Sequence, residues 1–214
     1  MDQNLKRKLI KLAKSCYDDS DPAHGFSHIE RVLLNAENIL NTESKGDPDV
    51  VIPAVLFHDV VNYAKNDPRN RFATEESATK AEEILKSVKD FPITKIEAIK
   101  NCIVRTSFSK GLKAETIEQM ILQDADMLEA TGAISIMRTF TAGGTMKRAL
   151  YNVNDPFVKN REPDDFKFSL DLFYSRLLKV KDRMSTKKGK EIALRRAKFL
   201  ESFLEEIALE IDGK

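Results

Sequence analysis

Apolar residues recur at helical spacing along nearly the whole chain. Over residues 5 to 17, Leu5, Leu9, Leu12, Ala13 and Cys16 share one stripe while Lys and Arg fill the opposite face, which predicts an amphipathic first helix. Asp21-Pro22 breaks it. Ser27-His28-Ile29-Glu30 then reads as a capping box, in which the Ser27 hydroxyl and Glu30 carboxylate satisfy free backbone donors of a first turn. A second helix continues through Val32, Leu33, Ala36 and Leu40. Asp47-Pro48-Asp49 opens a third, whose run from Val50 to Phe57 is apolar on nearly every side and therefore belongs at the centre of the fold. Pro53 is expected to kink this helix or delay its start, and His58-Asp59 ends it.

A polar loop follows over residues 62 to 71, then a helix over 74 to 89 and another over 93 to 105. Residues 107 to 113 around Gly111 read as a loop, and 117 to 130 as the next helix. Gly132 interrupts that helix, 133 to 140 resumes it, and Gly143-Gly144 ends it. Residues 142 to 165 form a long irregular loop. Two helices close the chain, one through Leu170, Phe173, Tyr174 and Leu177, the other through Ile192, Leu200, Phe203, Leu204 and Ile207, separated near Gly189.

With 42% hydrophobic and 32% charged residues but only 8 Gly and 7 Pro in 214, composition excludes disorder and disfavours a turn-rich β-sandwich. The expectation is one all-α domain over 1–214, with a core at about 20–140 and a C-terminal helical hairpin at about 166–212 packed on it. Lys plus Arg number 35 against 34 Asp plus Glu, so no global field draws nucleic acid or an anionic membrane, and phosphate binding must be local. Neither is expected as a partner. Cys16 and Cys102 cannot build a disulfide framework and read as core residues. No apolar run of 18 residues and no leader pattern is visible, which points to the cytoplasm. The faces of the last two helices leave a homodimer open.

The chain spends only three histidines, His24, His28 and His58, the last followed directly by Asp59. Imidazole and carboxylate together suit a divalent ion, and two His with two Asp from separate helices leave two octahedral positions for water and a substrate oxygen. His28 stands at the first turn of its helix, where free N–H groups favour an anion. For the second acid, Asp124 and Asp126 lie about 200° apart on a helix, and periodicity alone does not choose between them.

His-Gly-Phe-Ser-His-Ile-Glu-Arg-Val at 24 to 32, His58-Asp59 after an apolar helix, and Gln-Asp-Ala-Asp-Met-Leu-Glu-Ala-Thr-Gly-Ala-Ile at 123 to 134 resemble the H…HD…D signature of the HD-domain phosphohydrolase superfamily. Residues 106 to 111, Arg138-Thr139-Phe140 with Gly143-Gly144, and the stretch from Met184 to Arg195 extend the resemblance to small bacterial HD nucleotide pyrophosphohydrolases. The resemblance implies an all-helical fold with His28, His58, Asp59 and Asp126 holding one divalent ion, Mn foremost among Mn, Fe, Co, Ni and Zn. It also implies catalytic parts for Asp59, which would help orient water, and for His24, which would touch substrate phosphate. The implied reaction is hydrolysis of a nucleoside triphosphate or related small nucleotide with release of pyrophosphate. A 5′-deoxynucleotide monophosphatase and a non-catalytic HD ligand-binding module are the alternatives. Three histidines exclude the His-rich multinuclear sites of the superfamily's cyclic-nucleotide phosphodiesterases. Asn62-Tyr63, where alarmone hydrolases carry paired acids, weakens that reading.

Asn62 and Lys65 follow His58-Asp59 by about one and two turns and are candidate substrate contacts, as are Arg105, Lys110 and Arg138, since guanidinium and ammonium groups suit phosphate. The basic run between Lys179 and Lys198 is interleaved with acids and reads as a solvated helix face.

Overall fold

The computed structural model describes residues 1–17, 25–63, 67–106 and 111–214. Among these, every regular element is helical, and the one extended pairing is an isolated bridge between Ala149 and Phe168. The all-α expectation holds. The chain divides into two compact units, Met1–Asp126 and Met127–Lys214. No described helix is long and apolar enough to cross a membrane.

In the first unit, α1 (Gln3–Lys14) starts where the Asp2 carboxylate accepts from the amides of Asn4 and Leu5, and it buries Leu9 and Ala13. It stops short of the predicted end. The amides of Ser15 and Cys16 close the last turn onto Leu12 and Ala13, which takes Cys16 off the apolar stripe and leaves it exposed rather than in the core. Cys102 is buried as expected.

Helix α2 (Phe26–Glu43) buries His28, Ile29, Val32, Leu33, Asn35, Ala36 and Ile39. Its N-cap is Gly25, and no side chain caps it. The capping box therefore does not form, because the helix begins before Ser27 and carries that hydroxyl past the cap position to an exposed site. The chain leaves α2 through Ser44 in the left-handed region and then Gly46 at φ 96°. That positive φ is what calls for glycine, and a Cβ there would also press on Ile121 Cδ1 at 2.9 Å.

Helix α3 (Pro48–Phe57) is capped by the Asp47 carboxylate on the Asp49 amide, and every residue from Val50 to Phe57 is buried. It packs against α1, α2, α4 (Ala73–Ser87) and α5 (Ile96–Val104), which makes it the centre of the unit. Pro53 lies inside the helix and does not delay its start. Glu82 of α4 reaches Lys100 of α5 at 2.6 Å and Lys86 of its own helix at 2.7 Å. Helix α6 (Ile117–Met127) continues into a 3-10 turn over Leu128–Ala130, which splits the single helix expected there.

The second unit holds α7 (Gly132–Thr145), α8 (Asp171–Ser175) and α9 (Lys187–Ile211). Leu170, Phe173, Leu177, Leu200 and Leu204 form its core, and Phe173 and Phe203 stack with centroids 5.7 Å apart. Helix α7 runs through Gly143-Gly144 instead of ending there, and a Cβ on Gly143 would lie 2.2 Å from Ser169 Oγ, so this glycine serves a close approach. Gly189 does not separate the last two helices. The Thr186 hydroxyl accepts from the Gly189 amide, which puts this glycine in the first turn of α9.

Candidate metal centre

Three helices deliver one donor each. His28 is the third residue of α2, His58 is the C-cap of α3, and Asp126 is the penultimate residue of α6. Both histidines are buried, while the Asp126 side chain is 29% exposed and gives the cluster its opening to solvent. His28 Nε2 lies 3.5 Å and His58 Nε2 3.8 Å from Asp126 Oδ1. The imidazoles meet edge to face with centroids 5.8 Å apart. All three ligand atoms fall within 4.8 Å of one another.

This geometry fits a divalent ion. Adjacent ligands about 2.1 Å from one centre lie about 3 Å apart, and opposed ones about 4.2 Å, so the observed separations need only a slight contraction. The His58 ring is also prepared for the task. Its Nδ1 donates to the Val55 carbonyl at 2.8 Å, which fixes the tautomer and turns the Nε2 lone pair toward Asp126. Burial alone would push the His58 pKa down, but Asp126, the nearby charge of Asp59 and the Val55 carbonyl outweigh it and raise the value to about 9. The pocket thus demands positive charge at Nε2, which a proton or a metal ion can supply.

Asp59 follows His58 and is half-buried, but its carboxylate is not one of the three ligand groups that converge. It bears on the site through its charge. Asp124 is fully buried, and two residues along α6 turn it about 200° from Asp126. Asn62 is exposed. The Arg105 guanidinium is committed to the Lys113 carbonyl at 3.0 Å and the Glu115 carboxylate at 2.7 Å. Those partners precede α6, about 14 Å of helix from Asp126. Arg138 belongs to the second unit, where Nη1 lies 3.9 Å from the buried Glu129 carboxylate. His24, Lys65 and Lys110 lie outside the described residues.

Two residues that the sequence reading passed over also meet the backbone beside the donors. The Tyr17 hydroxyl donates to the Leu56 carbonyl at 3.0 Å, and Asn35 Nδ2 donates to the Ala125 carbonyl at 3.3 Å. Asn35 had a signal: it follows His28 by seven residues, two turns along the same buried face, where a polar amide needs a partner.

Residues 25–131 match the HD domain, a span from the start of α2 to just past α6 that takes in His28, His58, Asp59 and Asp126. The chain belongs to the HD domain family. Solved structures of similar proteins match over essentially the full length. The Lin1889 protein of Listeria innocua is 32% identical, with 96% of this chain and 95% of that one covered at a TM-score of 0.69. An HD-superfamily hydrolase of Bacillus thuringiensis is 29% identical over 99% of both chains, TM-score 0.72. Bacillus subtilis YpgQ, whose structure was solved in complex with ADP, is 25% identical over 97% of this chain and 98% of that one, TM-score 0.72. HD domains bind divalent metals, and the His-His-Asp cluster lies within the matched span.

Proposed function

We propose that this HD protein hydrolyses a phosphoanhydride of a small nucleotide, foremost a nucleoside triphosphate to the monophosphate and pyrophosphate, using one divalent ion held by His28, His58, Asp59 and Asp126. The observation that carries the reading is the convergence of His28, His58 and Asp126 from three helices within 4.8 Å, with the His58 tautomer already set. The ADP complex of YpgQ supports a nucleotide over other phosphate esters.

When bound, the ion supplies an electrophile that polarises a phosphoryl oxygen and acidifies a water. His58, steered by the Val55 carbonyl, and His28 hold their Nε2 atoms fixed, so little reorganisation is needed when charge develops. The buried imidazoles keep bulk water from one side of the cluster, and Asp126 faces the open side. Asp59 would help orient the attacking water, whose proton passes to solvent on the open side. The oxygen of that water bonds to the α-phosphorus as the bond to the bridging oxygen breaks, and pyrophosphate leaves with the electron pair, which makes a strong general acid unnecessary. His24, Lys65 and Lys110 are the proposed phosphate contacts, with Asn62 as a further candidate.

The test is a panel of nucleoside mono-, di- and triphosphates with Mn, Co, Ni, Zn or Mg, wild type against Asp59→Ala, scoring phosphate and pyrophosphate separately. Triphosphate turnover that yields pyrophosphate and disappears in the variant is expected. A silent panel from folded, metal-loaded protein would refute the enzymatic reading and favour a ligand-binding module.

A further inference from the structure

Tyr17 stands just past the end of α1, and its side chain reaches two other helices. Its hydroxyl donates to the Leu56 carbonyl at 3.0 Å, and its ring lies 5.8 Å from that of Phe26, inclined at 49°. Leu56 comes two residues before His58, and Phe26 two residues before His28. One side chain therefore grips both helix ends that carry the histidines.

The contact at Leu56 answers a specific need. Helix α3 ends at Phe57, so its last carbonyls have no amide of the same helix to accept from. Two neighbouring carbonyls are met by side chains: Val55 by His58 Nδ1 at 2.8 Å and Leu56 by the Tyr17 hydroxyl. The first bond orients the imidazole, and the second holds the turn from which the imidazole and the Asp59 carboxylate spring. A carbonyl oxygen can only accept, so the phenol hydroxyl is the donor in this contact.

We infer that Tyr17 is a positioning residue that sets the His58-Asp59 turn and, through it, the metal affinity of the His28, His58 and Asp126 cluster. The inference rests on the metal-centre reading above. The Tyr17 hydroxyl is spent on the Leu56 carbonyl and is not one of the converging ligand groups. A purely structural anchor at this position would add stability without altering the metal's surroundings, and that difference is measurable.

The experiment compares full-length wild type, Tyr17→Phe and Ile99→Val by Co(II) affinity, measured in competition with a chelator, and by the Co(II) d–d spectrum. Circular dichroism and thermal melts of the metal-free proteins run alongside. Phenylalanine keeps the ring against Phe26 and removes only the hydroxyl, so the helical spectrum should be retained. Ile99 is fully buried on α5 and bonds to none of the site's carbonyls, so its shortening reports destabilisation alone. Tyr17→Phe is expected to bind Co(II) about 10 to 100-fold more weakly with an altered d–d band, as is usual when a group supporting a ligand is lost. Ile99→Val should melt lower yet bind with wild-type affinity. Wild-type affinity and spectrum in Tyr17→Phe would overturn the inference, as would an equal loss in Ile99→Val. Wild type that takes up no Co(II) would instead overturn the metal-centre reading, and the inference with it.

Discussion

Asp171 opens α8 fully buried, and the long segment between α7 and α8 folds back onto it. Its carboxylate takes both terminal nitrogens of the Arg161 guanidinium, one at 2.7 Å, and the Asp164 amide at 2.6 Å. Arg161 also donates to the Asp155 carbonyl at 3.0 Å and lies over the Phe168 ring at 5.2 Å. Arg161→Met keeps the apolar stem but leaves a buried carboxylate with one backbone donor. Breaking a buried pair from one side costs about 3–5 kcal/mol. Because the Arg161 side chain is 21% exposed, water partly compensates, and the lower end, about 3 kcal/mol, applies. In a chain of this size each 1 kcal/mol moves the melting midpoint by about 2–4 °C, so a fall of about 6–12 °C is expected by differential scanning calorimetry. Adding Asp171→Asn to Arg161→Met should recover part of the loss, since a neutral amide is less costly to bury than a lone charge. A fall below about 2 °C, or a double variant no better than the single, would refute the reasoning.

At pH 8 the native protein should react with a thiol reagent at one of its two cysteines, Cys16, because burial and then the Glu118 charge push Cys102 up to about 12; both should react in denaturant. Lys100 and Lys86 hold Glu82 down at about 2 against an ordinary 4.5, so its contribution is present above pH 4.5 and lost as pH falls through about 2. The stability gap between wild type and Glu82→Gln, measured by urea unfolding, should accordingly shrink across that window; a gap constant from pH 5 to 2 would contradict it. Chelation should lower the midpoint of the whole protein, and metal at 100 times its dissociation constant should restore about 2.7 kcal/mol, or about 5–11 °C. An unchanged midpoint would mean that the cluster holds no ion.

What could be read from the sequence follows the strength of each local signal. Helix α3 was legible because an apolar run behind Asp47-Pro48 has one reading, a buried helix with a capped start. The Ser27 box fails because its pattern specifies side-chain chemistry, whereas the helix start depends on the backbone, which turns helical at Phe26, before Ser27. Cys16 continues the apolar stripe only if α1 continues, and the last turn closes before it. Periodicity could not rank Asp124 against Asp126, since both faces of α6 carry apolar neighbours; the distances from Asp126 to two histidines of other helices are tertiary facts. Tyr17 was invisible for the same reason, because its partner is a backbone carbonyl 39 residues away, whereas Asn35 showed as a polar residue on the buried face of α2 but not which carbonyl it meets.

The central claim is a single metal-dependent hydrolytic site at His28, His58 and Asp126. Its most direct test is nucleoside-triphosphate turnover measured together with bound metal per chain, in wild type and in His58→Ala. One equivalent of metal and pyrophosphate release are expected in wild type, with both lost in the variant while its helical spectrum persists. Undiminished turnover in folded, metal-free His58→Ala would contradict it.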